Sequence, residues 1–76
     1  MAELLAYLVR ELVDDPAAVH VESAERDGAL VLVLHVASDD LGKVIGRGGR
    51  IIRALRTLVN AAAASLGRRV VVELAA

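Results

Sequence analysis

The stretch Leu41-Gly42-Lys43-Val44-Ile45-Gly46-Arg47-Gly48-Gly49-Arg50-Ile51-Ile52-Arg53 decides how this chain is organised. Four of the six glycines fall between residues 42 and 49, and the apolar residues resume at Ile51 with helical spacing. From Leu41 through Val72 there is no acidic residue, while seven cations lie inside that span: Lys43, Arg47, Arg50, Arg53, Arg56, Arg68 and Arg69. A glycine loop between two helical segments, with uncompensated positive charge, predicts a site for an anion.

Electric charge is distributed unevenly along the chain. Residues 1–42 hold two basic and nine acidic side chains, a net charge of −7, whereas residues 43–76 hold seven basic and one acidic, a net charge of +6. The total of −1 therefore hides a basic half that contains the glycine loop. A cationic segment that coincides with a glycine loop predicts a nucleic-acid partner, because phosphates supply a regular array of anions.

Length and composition predict a single domain over residues 1–76, near the lower limit for an unaided hydrophobic core. The high apolar content, 57% of the residues, offsets the short length, and the absence of cysteine excludes disulfides and thiolate metal sites. The apolar run from Ala29 to Leu34 is far too short to span a bilayer, and the N-terminus lacks the pattern of a signal peptide. We therefore expect a cytoplasmic protein with no membrane association.

The first half of the chain predicts one helix and two strands. A helix is predicted over residues 2–14, ended by Asp15-Pro16, from the helical spacing of Leu4, Leu5, Leu8, Val9, Leu12 and Val13. Residues 19–25 are predicted to form a strand, and Asp27-Gly28 a hairpin turn. Residues 30–37 are apolar on both faces, which predicts a central strand. Since helices usually cover one face of such a sheet, Val31 and Val33 on the other face are candidates for a protein interface.

The second half predicts two helices and a last strand. Ser38 is predicted to cap a short helix with Asp39 and Asp40 in its first turn. A longer helix is predicted from about residue 49 to residue 66, with Gly67 at its C-terminus and a buried stripe of Ile51, Ile52, Leu55, Leu58, Val59, Ala62, Ala63 and Leu66. A strand over residues 70–74 completes an α+β order of helix, strand, strand, helix, helix, strand. The crossover between the second and third strands predicts that they are parallel.

The glycine loop has the chemistry of a phosphate clamp. Gly46 and Gly49 permit backbone angles that other residues resist, and without side chains they allow a sugar–phosphate chain to approach. The N-terminus of the long helix adds free N–H groups and the positive end of the helix dipole. Arg47 projects from the loop, Arg50 lies in the first helical turn and Arg53 one turn later. The planar guanidinium group suits phosphate because it donates two hydrogen bonds at once.

At these residues the chain resembles a known family. The run from Val44 to Ile52 is similar to the I-G-x-x-G-x-x-I signature of KH domains, and the element order resembles the type II, prokaryotic arrangement. Nearly all 76 residues resemble the small single-KH-domain RNA-binding proteins of bacteria, the KhpA (YlqC) family, including residues 11–16, 42–46, 53–57 and 60–64. Gly48 departs from the family pattern, which usually has a long polar residue there, so the loop loses one side chain that could meet phosphate.

The resemblance implies a three-stranded mixed sheet with helices on one face and a non-catalytic protein that clamps about four nucleotides of single-stranded RNA. It places the bases in an aliphatic groove of Val44, Ile45, Ile52 and residues 70–72. The predicted nucleic-acid-binding residues are Lys43, Val44, Ile45, Gly46, Arg47, Gly48, Gly49, Arg50, Ile52 and Arg53. It further implies RNA-chaperone activity, self-association into a homodimer, pairing with a larger Jag-type KH protein (KhpB), and a role in cell shape and cell-wall synthesis.

Other kinds of site find little support. His20 and His35 have no carboxylate or cysteine at metal-ligand spacing, so no metal site is predicted. Helix capping explains Asp39-Asp40, and no nucleophile–base pair is evident, so no catalytic residue and no cofactor are expected. The loop also lacks the Gly-Lys-[Ser/Thr] of a P-loop. Tyr7 is the only aromatic residue, which excludes readers that stack bases on aromatic side chains.

Several assignments stay open at this stage. Arg56 is either a solvated helix position or an RNA contact, and Arg68-Arg69 either flanks the groove or forms a polar turn. Four apolar side chains flank the loop and could all belong to the core: Val44, Ile45, Ile51 and Ile52. We expect Ile51 in the core and Ile45 or Ile52 at the edge of the groove. The alternative function is a KH-fold protein–protein interaction module with little RNA binding of its own.

Overall fold

The computed structural model describes residues 1–75, and it has the predicted α+β order. Helix α1 spans Ala2–Arg10, strands β1 and β2 span His20–Arg26 and Ala29–His35, helices α2 and α3 span Leu41–Ile45 and Arg50–Ala64, and strand β3 spans Val70–Leu74. Single 3-10 turns at Pro16–Ala18, Ser38–Asp40 and Arg47–Gly49 join these elements. No helix within the described part of the chain is long and apolar enough to cross a membrane.

Helix α1 ends earlier than its apolar pattern predicts. The pattern indicated residues 2–14, but the helix ends at Arg10 and a turn follows, with the Leu12 N–H donating to the carbonyl of Val9 at 2.9 Å. Further along, the backbone N–H groups of Asp14 and Asp15 donate to the carboxylate of Asp40 rather than to helix carbonyls. This tertiary contact draws the chain off the helix axis before the proline is reached.

The two-residue turn Asp27-Gly28 closes the hairpin as predicted. Both residues have positive φ, +51° and +79°, the backbone form that matches the twist of antiparallel strands. Arg26 and Ala29 form the last pair of the β1–β2 ladder, which extends back to the pair His20 and His35. The strand bounds therefore differ by a residue or two from the prediction, while the hairpin register is the one that the turn dictates.

Strand β2 is central, and β3 pairs with it in parallel, from Leu30 with Val70 to Leu34 with Leu74. The α2–α3 crossover connects these two parallel strands, as expected. All three helices cover one face of the sheet. Their shared core consists of Leu5, Ala6, Val9, Val19, Leu32, Leu34, Val44, Ile52, Leu55, Val59, Ala63, Val70 and Val72. Each buried leucine or valine contributes about 1.5–3 kcal/mol to folding, which is how a chain of this size retains a core.

The opposite face of the sheet is less open than the sequence suggested. Val31 was predicted to be exposed there with Val33, but Val31 is only 3% exposed, and Val33 is half-buried. Long polar side chains pair between strands across this face: Arg26 of β1 binds Glu73 of β3 at 2.9 Å, and His35 of β2 contacts Glu22 of β1. The prediction of an exposed patch at Val31 is therefore wrong, because neighbouring strands supply its cover.

Helix α3 ends at Ala64, two residues before the predicted end, and the predicted glycine cap, Gly67, is left-handed in the turn that follows. Gly67 has φ +67°, its N–H donates to the carbonyl of Ala64, and the N–H of Arg68 donates to the carbonyl of Ala63. The buried stripe is narrower than predicted. Ile52, Leu55, Val59 and Ala63 are buried, but Leu58 and Leu66 are 53% and 71% exposed. These two leucines are eight residues apart, Leu58 on α3 and Leu66 in the turn after its end.

Candidate nucleic-acid interface

The glycine loop consists of Gly46, Arg47, Gly48 and Gly49, between α2 and α3. Gly46 adopts φ +74° and ψ 171°, a combination that only glycine tolerates, while Gly48 and Gly49 are both left-handed with φ of +63° and +78°. Gly49 is the N-cap of α3, so the loop lies at the N-terminus of that helix, as predicted. The unusual glycine at position 48 thus shares the left-handed conformation of its neighbour.

Gly46 is also required for packing. A Cβ placed there would lie 2.7 Å from Cγ1 of Ile51, closer than real Cβ atoms come to another carbon. Ile51, half-buried in the first turn of α3, therefore packs directly on the backbone of Gly46. This contact packs the first turn of α3 against the backbone at the end of α2, and it leaves no room for a side chain at position 46.

The backbone N–H groups of the loop fall into two sets. Gly49 donates to the carbonyl of Gly46 at 3.1 Å, and Arg50 donates to the carbonyl of Arg47. Within residues 1–75, the N–H groups of Arg47 and Gly48 donate to no protein acceptor. Two adjacent free N–H groups at a helix N-terminus are a chemical match for one oxyanion.

The cations of the basic span have different surroundings. Arg47 and Arg50, on either side of the two glycines, form no hydrogen bond or ion pair with other residues of the described chain. Arg53 donates from Nη1 to the carbonyl of Gly48 at 2.7 Å, and Arg56 from Nε to the carbonyl of Val72 at 3.3 Å. Lys43 and Arg68 are paired with carboxylates. The side chain of Arg69, just before β3, also has no partner within residues 1–75, and the carbonyl contacts of Arg53 and Arg56 leave their charge uncompensated. The unpaired guanidinium groups that adjoin the free N–H groups are those of Arg47 and Arg50.

Comparison with known proteins identifies the family. The family model described as the KH domain of KhpA/KhpB matches residues 2–74 of this chain. The chain belongs to the KhpA/KhpB family of KH domains.

Two relatives illustrate this membership. The RNA-binding protein KhpA of Treponema pallidum is 50% identical over 72 residues, which are 95% of this chain and 90% of the relative. The RNA-binding protein KhpA of Caldanaerobacter subterraneus is 46% identical over 74 residues, 97% of this chain and 99% of the relative. Among solved structures, Era in complex with MgGDPNP and nucleotides 1506–1542 of 16S ribosomal RNA is similar, with a TM-score of 0.64 and 21% identity. The match covers 96% of this chain and 28% of Era, and it supports the type II KH fold.

In this KH domain, a buried carboxylate joins the segment after α1 to the start of α2. Asp40 is 2% exposed, and its two oxygens accept hydrogen bonds of 3.1 Å from the backbone N–H groups of Asp14 and Asp15. The hydrogen bond from Asp14, aided by that from Asp15 and by the ammonium of Lys43, holds the pKa of Asp40 below its ordinary value of 3.8, although burial raises it. The interpretation of Asp40 as a helix-capping residue is therefore wrong, and Ser38 forms no side-chain cap either.

Lys43, one of the predicted nucleic-acid-binding residues, belongs to the same cluster. Its Nζ lies 3.1 Å from Oδ2 of Asp14 and 3.7 Å from Oδ1 of Asp40. The hydrogen bond to Asp14 is the main reason that the pKa of Lys43 is raised above 10.5. The charge of Lys43 is thus already compensated by two carboxylates of the protein, whereas the charges of Arg47 and Arg50 are not.

The predicted groove residues differ in exposure. Val44 is fully buried and Ile52 is in the core, so neither presents a side chain at the surface, whereas Ile45 is 39% exposed beside the loop. Ile51 is only half-buried. The expectation for Ile45 at an edge agrees with its exposure, but the core position expected for Ile51 is occupied by Ile52. Val70 and Val72 are also buried, and Val71 lies on the opposite face of the sheet, paired with Val31.

Sequence reasoning missed the role of Asp14, Asp15 and Asp40. Acidic residues after the C-terminal end of a helix are unfavourable for its dipole, and this oddity was the one available signal that they serve another purpose. The two shallow depressions found on the surface do not border the loop: one lies on the open sheet face around Val31, the other between α1 and β1. Within residues 1–75, no three His, Asp or Glu side chains are grouped so as to hold a metal ion.

Proposed function

We propose that this chain, taken over residues 1–76 as one KH domain, is a non-catalytic protein that binds single-stranded RNA through the glycine loop. The observation that carries the proposal is the loop itself: two free N–H groups, on Arg47 and Gly48, lie beside two arginines that have no partner in the described chain. One phosphate would accept from the N–H groups, and the guanidinium groups of Arg47 and Arg50 would hold its neighbours. The relatives that are named RNA-binding proteins support this function.

The remaining predicted binding residues take supporting places in this proposal. Ile45 offers an apolar edge for a base, with Val44 and Ile52 beneath it in the core. Gly46 and Gly49 give the loop its backbone conformation. Lys43 contributes to RNA binding only through N–H donors that its ion pairs with Asp14 and Asp40 leave free. About four nucleotides would be held in this way, so the affinity of a single domain is expected to be weak.

The proposal is tested by fluorescence anisotropy of a labelled single-stranded RNA of about ten nucleotides, long enough for one KH footprint. Wild type is compared with the double variant Arg47→Asp/Gly48→Asp, which puts two carboxylates where phosphate would lie. Position 48 has a φ of +63° and open space around it, and aspartate tolerates such a backbone better than most residues. Circular dichroism checks that the variant is folded.

A matched control is Arg10→Asp/Gly28→Asp. It changes the net charge by the same amount, and Gly28 also has positive φ and open surroundings. Gly28 is far from the glycine loop. It lies in the hairpin next to the start of β3, near the C-terminal end of α3, whereas the glycine loop lies at the N-terminal end of α3. We expect wild type and control to bind, with affinity that falls as salt rises, and the loop variant not to bind. Equal binding by all three proteins would refute the loop as the site. The same sequence as DNA measures selectivity for RNA.

We propose that the chain also associates with a second KH domain, either its own copy or a larger KhpB-type protein, and that the pair acts as an RNA chaperone. Avidity from two weak sites would supply the affinity that one site lacks. The specific observation in favour is the exposure of two large apolar side chains, Leu58 on α3 and Leu66 just after its end. A role in cell shape and cell-wall synthesis, in the cytoplasm, remains an expectation from the family. The alternative function is a protein-interaction module with little RNA binding. In that case the two KH domains would still associate, but the anisotropy of the labelled RNA would not rise when the protein is added.

A further inference from the structure

The peptide between Gly48 and Gly49 is held on both sides. Its N–H donates to the carbonyl of Gly46 at 3.1 Å, and its carbonyl accepts from Nη1 of Arg53 at 2.7 Å. A Cβ on Gly49 would lie 3.1 Å from the same Nη1, so the guanidinium group lies directly against the loop backbone. Arg53 is one helical turn into α3, a rigid element, and reaches back over the loop from there.

The loop needs such a restraint because of its composition. A Cβ added to Gly48 would have open space around it, so no neighbouring side chain confines that position. Glycine loses more backbone entropy on ordering than any other residue, and here two left-handed glycines follow one another. The Arg53 hydrogen bond is the only side-chain contact to a carbonyl of the loop among residues 1–75. Without it, only the hydrogen bond from the N–H of Gly49 to the carbonyl of Gly46 would restrain the Gly48–Gly49 peptide.

The orientation of this peptide decides whether its carbonyl oxygen is kept away from the candidate anion position. In the structure the carbonyl of Gly48 is turned to Arg53 and the N–H of Gly49 to Gly46, and the unbonded N–H groups of Arg47 and Gly48 adjoin this peptide. A rotated peptide would place a carbonyl oxygen, a partial negative charge, close to the candidate anion position. A donor held in place before binding also costs less entropy on binding.

We propose that Arg53 is a positioning residue that holds the glycine loop in its binding conformation through the carbonyl of Gly48, and that it is not itself a phosphate ligand. This inference rests on the proposed function of the loop. The arginines then have two different roles. Arg47 and Arg50 bind phosphate, and Arg53 holds the loop backbone in the conformation that binds phosphate.

The salt dependence of RNA affinity separates these roles. Removing one phosphate contact to a single strand lowers the slope of log affinity against log salt by about 0.7, whereas loss of pre-organisation lowers affinity at every salt concentration alike. Arg53→Gln should weaken binding roughly 2- to 10-fold, the range for one net hydrogen bond, with the slope of wild type. The matched control Arg50→Gln, one turn earlier on the same helix, should lower the slope by about 0.7. Arg53→Lys keeps the charge and a donor and should recover part of the affinity.

A second readout requires no RNA. In the free protein, backbone 15N heteronuclear NOE values at Gly48 and Gly49 should fall in Arg53→Gln, recover in part in Arg53→Lys, and stay at the wild-type level in Arg50→Gln. Unchanged NOE values in Arg53→Gln, or a lower salt slope for that variant, would overturn the inference. If wild type fails to bind RNA, the proposed function fails, while the NOE comparison still decides whether Arg53 holds the loop.

Discussion

The ammonium nitrogen of Lys43 lies 3.1 Å from a carboxylate oxygen of Asp14, which joins the helix before the glycine loop to the segment after α1. The two residues are 29 positions apart, in the basic and the acidic half of the chain respectively. The charge separation seen along the sequence is thus partly cancelled in space. Around the loop, the cation before Gly46, Lys43, is paired with carboxylates, whereas Arg47 and Arg50 after Gly46 are not.

Replacing Lys43 by glutamine should therefore lower thermal stability more clearly than RNA affinity. The variant removes the ion pairs with Asp14 and Asp40, but it leaves the free arginines of the loop in place. Thermal unfolding by circular dichroism and the salt slope of RNA binding are the two measurements. Arg47→Gln serves as the opposite case, with unchanged melting and a lower slope. A slope reduced by about 0.7 in Lys43→Gln would instead show that Lys43 contacts phosphate.

Asp40→Asn should lower the melting temperature near neutral pH and remove a pH dependence that wild type has. Asparagine offers one acceptor oxygen where two N–H groups converge, so its amide would meet a donor. Hydrogen bonds from the backbone N–H of Asp14, then of Asp15, together with Lys43, depress the pKa of Asp40 in the folded state. The associated stability is therefore present above the unfolded pKa of about 3.8 and is lost as pH falls through the lower folded pKa.

The melting temperatures of wild type and Asp40→Asn should differ most between pH 5 and pH 7 and converge as the pH is lowered from about 4. Asp39→Asn is the matched control, since Asp39 is exposed and has no hydrogen-bond partner within residues 1–75. It should melt like wild type across the range. A gap between wild type and Asp40→Asn that stays constant down to pH 2 would contradict this account of the carboxylate.

Gly46→Ala should destabilise the fold by about 2–4 kcal/mol. The backbone conformation at this position costs about 1–3 kcal/mol for a residue with a Cβ, and the added methyl would collide with Ile51. Gly42→Ala is the control: Gly42 is helical, its surroundings are open, and alanine there should stabilise by roughly 0.5–1 kcal/mol. Urea unfolding of both variants gives the comparison, and equal stability of the two would disprove the packing role of Gly46.

Leu58→Ser should weaken self-association if α3 forms the contact between KH domains. Leu58 on α3 and Leu66 just after its end are both exposed, and the loss of one buried leucine from an interface costs on the order of 2 kcal/mol, or about 30-fold in dissociation constant. Sedimentation velocity over a range of concentrations measures the effect. Tyr7→Ser, at an exposed position of α1, is the comparison for loss of a single apolar side chain elsewhere. An unchanged dissociation constant for Leu58→Ser would place the contact on another surface.

The backbone of the candidate site was largely predictable from sequence. The positive φ of Gly46 and Gly49, the start of α3 after the loop and the parallel pairing of β2 with β3 all follow from local preferences and from the handedness of crossovers. The family resemblance agreed with these expectations and is confirmed by the match over residues 2–74. The assignment of individual cations was less predictable, because Arg53 and Arg56 both have the sequence pattern of exposed helix positions.

The sequence by itself determined the order of the elements, the hairpin at Asp27-Gly28 and the place of the glycine loop, since each depends on residues a few positions apart. Only the tertiary structure decided where α1 ends, that Asp40 is buried, and that Lys43 is paired while Arg47 and Arg50 are free. Those outcomes depend on contacts between residues about 25 or more positions apart. Local propensity carries no information about such partners. A buried carboxylate without hydrogen bonds is costly, so the chain adopts the conformation that supplies donors to it, even where this ends a helix early.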